Sequence, residues 1–133
     1  MASILKVDTI TGVATAGSIA ITGEGNSTTT NLQQGLAKQW SKINQDTPAI
    51  TDSFNTASLT DVGTGEYSCN FTNNMSNANY ANSCQKEAEA ANADCTEYTT
   101  GSNSTSLVRR QDVENNAGRD AARSDTITHG DLA

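Results

Sequence analysis

The stretch SLTDVGTGEYSCNFT, Ser58 to Thr72, commits part of this chain to antiparallel sheet before any other feature is weighed. Gly63-Thr64-Gly65 separates two runs of alternating character, and Tyr67, Cys69 and Phe71 fall on one face of the second. Alternation of period two puts every other side chain on the same side of a strand, and a Gly-bearing turn between two such runs marks a β-hairpin. A lone hairpin is at best marginal in water, so further strands must cover its apolar face.

Those strands are short and scattered along the chain. LAKQWSKI (36–43) carries the only tryptophan, and Trp40 is expected to anchor the core because one indole buries more area than three alanines. AITDSFN sets Ile50 and Phe54 on one face of an extended segment, so Trp40, Phe54, Tyr67 and Phe71 form the expected core. Tyr80 to Cys84 reads as another strand, Leu107, Val108 and Val113 mark a later one, and TITHGDLA supplies the last. ENNAGRDAARSD (114–125) reads as a polar loop. Gln85 to Ala93 is rich in good helix formers but has no apolar stripe, which leaves a solvated helix of about two turns or a surface loop. Four to seven short strands separated by turn signals predict a mainly β body over residues 36–133, a small antiparallel sandwich or a barrel-like closure.

Ahead of this body stands a leader of different character. Between Asp8 and Glu24 there is no charge, and Val, Ile and Thr alternate with Gly and Ala. Ile4 to Ile10 and Ile19 to Ile21 read as two short strands around a Gly/Ala connection at residues 12–17, and TGEGNSTTTNLQQG (22–35) has the composition of a linker or exposed crossover. The expected divisions are residues 1–25 as leader, 26–35 as linker and 36–133 as body. Leu, Ile, Val and Phe make up only about 15% of the chain, below the level of about 20% at which disorder becomes a serious prior. Asn, Ser and Thr exceed a third of the residues, yet there is one proline and few charges, and Thr-rich sequence suits exposed strands. A chain with so thin a core gains burial by oligomerising, and a homotrimer is expected. In a threefold assembly Ile4, Leu5, Val7, Ile10, Ile19 and Ile21 would share a stem while the small residues let three backbones approach. A flexible tail with incidental β content is the competing reading.

A net charge of −7 with dispersed Lys and Arg argues against a nucleic-acid surface. The start lacks the basic-then-apolar pattern of a secretory signal, and no apolar run is long enough for a membrane helix, so no membrane insertion is expected. Cys69, Cys84 and Cys95 are odd in number and their spacing fits neither a zinc site nor a redox pair, so three thiols are expected rather than a disulfide. His129 is the only histidine and no catalytic grouping surrounds it. Glu87 with Glu89, or Asp120 with Asp125, could be acid/base pairs for glycoside hydrolysis, but nothing in the sequence fixes them in space. Asp52, Asp61 and Glu66 lie near the hairpin without the Asp-x-Asp-x-Asp pattern of a calcium loop. Asn26, Asn70, Asn74 and Asn103 head Asn-x-Ser/Thr triplets of the kind that chance supplies in such a composition. No enzyme, cofactor or metal is expected.

SILKVDTITG at the start resembles the opening shared by many virion structural proteins of tailed marine bacteriophages, where a Leu-Lys-Val-Asp-Thr-Ile element precedes a Gly-bearing β-repeat. THGDLA is similar to the way such fibre-like proteins end, and LAKQWSKIN, ITDSFNTASLTDVGTGEYSCNFT and NNMSNANYA resemble their body. The resemblance implies a trimeric, β-rich fibre or decoration protein on the virion surface, assembled in the bacterial host cytoplasm. Its N-terminal segment would dock on other virion proteins of the capsid or tail, and its body would adhere to a host surface glycan or protein. The alternative is a cement protein that stabilises the shell without a host ligand. Residues 84–98 and 114–125 depart from the pattern and would be exposed loops of a receptor-facing surface.

Overall fold

The computed structural model describes residues 4–12, 19–22, 29–87, 93–97, 103–114 and 117–133. Its elements in order are β1 (Ala20–Thr22), β2 (Thr29–Asn31), α1 (Leu32–Gly35), β3 (Ala37–Asn44), β4 (Ala49–Phe54), β5 (Thr56–Gly63), β6 (Glu66–Phe71), β7 (Ala81–Lys86), β8 (Ala93–Glu97), β9 (Leu107–Glu114), β10 (Ala117–Gly118) and β11 (Ser124–His129). The chain divides into two compact units, Met1–Leu36 and Ala37–Ala133.

In the first unit β1 and β2 pair antiparallel, and the Leu32 amide at the start of α1 donates to the Ile19 carbonyl at 2.8 Å. The expected linker therefore holds a strand and a helical turn. The expected strand from Ile4 to Ile10 is absent, because residues 4–12 find no backbone partner that would make one. Past Gly12, the expected Gly/Ala connection lies outside the described residues.

The second unit is mainly β and forms a sandwich. One sheet has the order β4-β3-β11-β7, and the other runs β5-β6-β9-β8, with β10 extending the β6 side of β9. Every pairing is antiparallel. Hairpins stay within a sheet, while the β6–β7 and β9–β11 connections both cross between sheets, so β6 neighbours β9 in one layer and β7 neighbours β11 in the other. The β4–β5 crossing is made at Asn55, whose φ of 56° lies in the left-handed region. Asparagine tolerates that conformation better than most residues, and here its side chain fastens the corner. Its Nδ2 donates to the carbonyls of Lys38 at 2.9 Å and Asn73 at 3.0 Å, and its Oδ1 accepts from the Asn73 amide at 2.7 Å.

The expected hairpin is β5–β6, closed by Thr64 and Gly65, with Gly63 opposite Glu66. Gly65 has φ +72°, and a Cβ there would stand 2.3 Å from the Asp112 carbonyl oxygen and 2.4 Å from the Arg119 amide. Only glycine fits, because this turn is pressed against β9 and β10.

Period two decides which side chains enter the sandwich. On β3 the fully buried positions are Gln39, Ser41 and Ile43, so Trp40, an odd number of residues from each, faces outward and is 38% exposed; Lys38, buried as well, sits where the register with β11 shifts. The expectation of a core tryptophan is thus corrected by strand phase. Phe54 is also corrected, at 51% exposed. The β3–β4 register shifts beside Lys42, Thr51 is left without an opposite residue, and this bulge sends Ile50 inward and Phe54 outward. Tyr67 and Phe71 are buried with Ile43, Cys69, Met75, Tyr80 and Val108. Phe71 and Tyr80 meet edge to face with centroids 5.8 Å apart.

The rest of the interior is polar. Gln39, Ser41, Arg110, Asp112, Ser124, Thr126 and Thr128 are all buried between the sheets, and many are tied across the gap. The Tyr67 hydroxyl lies 2.9 Å from Ser124 Oγ and 3.1 Å from Thr126 Oγ1. Gln39 Nε2 donates to Ser41 and Thr56, and Ser41 Oγ lies 3.3 Å from Cys69 Sγ. Thr128 Oγ1 stands 2.9 Å from both Gln39 Oε1 and Asn82 Oδ1, so its single proton serves one at a time. Such bonds contribute about 0.5–1.5 kcal/mol each but leave a larger deficit when one partner is removed.

Three further expectations change. Gln85 and Lys86, assigned to the start of a helix, continue β7, since pairing along the whole of β11 overrides local propensity; residues 88–92 lie outside the described set. Cys84 is disulfide-bonded and Cys69 is a buried free thiol, so three thiols is not the state of the chain. The sequence segment 114–125 is also less of a loop than expected, because it carries β10 and the buried Ala121.

Candidate binding face

The two outer faces of the sandwich differ in chemistry. On the sheet containing β5 and β6, outward positions are mainly polar, although Val62 is 41% exposed and Leu107 and Val113 share the phase of Arg109: Asn70 Nδ2 donates to Ser58 Oγ and Thr60 Oγ1 at 3.0 Å each, and Glu66 pairs with Arg109. On the β4-β3-β11-β7 sheet, residues directly opposite in register share a face, and Phe54, Trp40, Ile127 and Ser83 line up across all four strands. Phe54, Trp40 and Ile127 are exposed at 51%, 38% and 37%.

A second row runs beside the first. Asp52, Lys42, Asp125 and Gln85 are likewise opposite one another on the same four strands. Asp125 is held from the side by Arg123, whose Nε and Nη2 donate to Asp125 Oδ2 at 3.1 and 2.6 Å. The carboxylate raises the Arg123 pKa first through this hydrogen bond and then through its charge. Asp125 Oδ1 has no hydrogen-bond partner among the described residues. Between the rows lies an open groove of about 380 Å³ lined by Trp40, Lys42, Ser83, Gln85, Asp125 and Ile127, among others. Ligand sites span about 300–1,000 Å³, which puts this groove at the small end of the range.

Among the described residues the other candidates do not assemble into chemistry, and Glu89, the expected partner of Glu87, lies outside them. Among the leader residues, Ile4, Leu5, Val7, Ile10 and Ile21 are exposed and Ile19 is half-buried. Asp120 Oδ1 accepts from the Gly65 amide at 2.6 Å, which ties it to the hairpin turn, while Asp125 is engaged by Arg123. Asp52 Oδ1 accepts from the Ser53 amide, and no group of three His, Cys, Asp or Glu side chains that could hold a metal occurs among the described residues. His129 is half-buried on β11. No described helix is long and apolar enough to cross a membrane.

Sequence reasoning missed the buried polar residues of β9. Burial raises the pKa of Asp112, against hydrogen bonds from Ser124 and Gln45 and the charges of Lys86 and Arg110. The sign of these inward charges was present in LVRRQDVE, whose alternation fixes Val108, Arg110, Asp112 and Glu114 on one face. No family model, curated protein or solved structure matches the chain.

Proposed function

We propose that the chain is a structural protein of a phage particle. It acts as a homotrimeric fibre docked on other virion proteins by its leader, and its β-rich body adheres to the host surface. The observation that carries this reading is the leader itself. Ile4, Leu5, Val7 and Ile10 are 78%, 79%, 54% and 55% exposed in the single chain, within a segment that has no strand pairing of its own. Clustered exposed apolar side chains mark a surface that another protein covers, and a three-chain stem or a virion dock would bury them. The body, in contrast, has its own core and carries Phe54, Trp40 and Ile127 outward on one sheet.

The test adds purified protein to particles lacking it and measures incorporation by mass spectrometry. Intact protein is expected to incorporate, while deletion of residues 1–25 or the combined change Ile4→Ser, Leu5→Ser and Val7→Ser abolishes incorporation and leaves a folded β-rich body. Normal incorporation of both variants would reverse the polarity and make the body the anchor. Recovery of hundreds of copies per particle with no adherence to host cells would favour a shell-stabilising decoration protein.

A further inference from the structure

The groove on the β4-β3-β11-β7 face offers one ligand two kinds of surface at once. Trp40 and Ile127 supply an apolar wall, and Lys42, Asp125, Gln85 and Ser83 supply donors and acceptors along its edge. We infer that this groove is a binding site for a neutral saccharide, with Trp40 as the platform for the sugar ring and Asp125, Gln85 and Lys42 as partners for its hydroxyls. The inference deepens the adhesion reading and rests on it for the setting in which the site works.

Three observations narrow the ligand to this class. A pyranose has a flat C–H face and a rim of hydroxyls, and the electron-rich face of an indole attracts the former while mixed donors and acceptors satisfy the latter. Asp125 Oδ2 is held by both Arg123 nitrogens, so the carboxylate's orientation is set, and its side chain remains 31% exposed to accept from a hydroxyl. The charged row sets Asp52 and Asp125 against Lys42 and the Arg123 paired with Asp125, so it carries no local excess of positive charge, and with −7 on the chain overall this disfavours a phosphate-bearing or sulfated ligand. A purely apolar occupant would desolvate Lys42 and Asp125 without returning their hydrogen bonds. The site is also built on three paired strands, which hold its side chains at fixed spacing.

The test uses the full-length chain and its single tryptophan, whose emission reports on this groove alone. The protein is titrated with a panel of neutral oligosaccharides covering the common hexoses and N-acetylhexosamines, with dextran sulfate as the polyanionic probe. Saturable changes in emission are expected with at least one neutral oligosaccharide and none with dextran sulfate. Retention on a column of the responding saccharide then compares variants whose circular dichroism matches the parent. Trp40→Ala is expected to lose retention, Asp125→Asn to weaken binding about tenfold, and Asn70→Ala, on the opposite face, to leave it unchanged.

A panel in which no neutral saccharide moves the emission overturns the inference, as does Trp40→Ala with undiminished retention. A Trp40→Ala variant that falls from trimer to monomer overturns it too, by assigning this face to a second copy of the chain. Adherence to host cells without any saccharide response would remove the groove and keep adhesion. Saccharide binding with no adherence to host cells would keep the groove and remove adhesion.

Discussion

Trp40 and Phe71 show how little side-chain size alone decides. Phe71 enters the core from β6, whereas Trp40 stands outward because β3 spends its inward phase on Gln39, Ser41 and Ile43. Phe71→Ala is therefore expected to cost about 3–5 kcal/mol through lost contacts and a cavity, and Trp40→Ala less than about 2 kcal/mol. Urea unfolding of the two variants checks the order, and equal losses would contradict the burial pattern. A second expectation concerns the buried acids. Burial, the first cause in each case, pushes the Cys69 thiol from 9.0 up to about 11 and the Tyr80 hydroxyl from 10.0 up to about 12, and it raises Tyr67 as well. The unfolded chain releases these protons first, so between the unfolded and folded values the native state binds more protons. Unfolding free energy then falls as pH rises. Urea titrations from about pH 8 to about pH 11 should show a decline that sets in near the ordinary thiol value, with the earliest part missing in Cys69→Ala. A flat profile would count against the buried thiol and phenols.

At the scale of elements, corners matter as much as strands. Asn55 turns the chain from one sheet to the other with a left-handed backbone and three side-chain hydrogen bonds. Asn55→Ala is expected to cost at least about 2 kcal/mol, from backbone strain together with the lost bonds. Asn55→Gly should recover the backbone part alone, and calorimetric melting of both variants separates the two contributions. The hairpin at Gly63 to Gly65, β9 and β11 were legible in the sequence because strict alternation and a Gly-bearing turn are local signals. β7 was read only as far as Cys84, because Gln85, Lys86 and the Glu and Ala that follow are good helix formers, while the partner β11 that extends the strand lies far along the chain where propensity cannot see it. The binding face was hidden for a different reason. Trp40 and Phe54 were assigned inward by size, although QWSKI already places Trp40 and Ile43 in opposite phases, and the bulge that turns Phe54 depends on the β3–β4 register.

For the whole molecule, a thin apolar core and an exposed apolar leader lead to the same expectation, a homotrimer. Light scattering should give about three times 13.9 kDa, and a stable folded monomer at micromolar concentration would remove the argument from burial. The interior of the body carries a further consequence in calorimetry. Exposing apolar surface raises heat capacity on unfolding and exposing polar surface lowers it. A sandwich whose two layers meet through Gln39, Ser41, Arg110, Asp112, Ser124, Thr126 and Thr128 exposes much polar surface when it opens. Its heat-capacity increment should fall below the usual 12–15 cal/mol/K per residue or so. Scanning calorimetry over a series of pH values measures that increment directly, and a value within the usual range would mean that the buried side chains behave thermally as an ordinary apolar core. A small increment gives a shallow dependence of stability on temperature, so the body would keep nearly constant stability from cold water to warm.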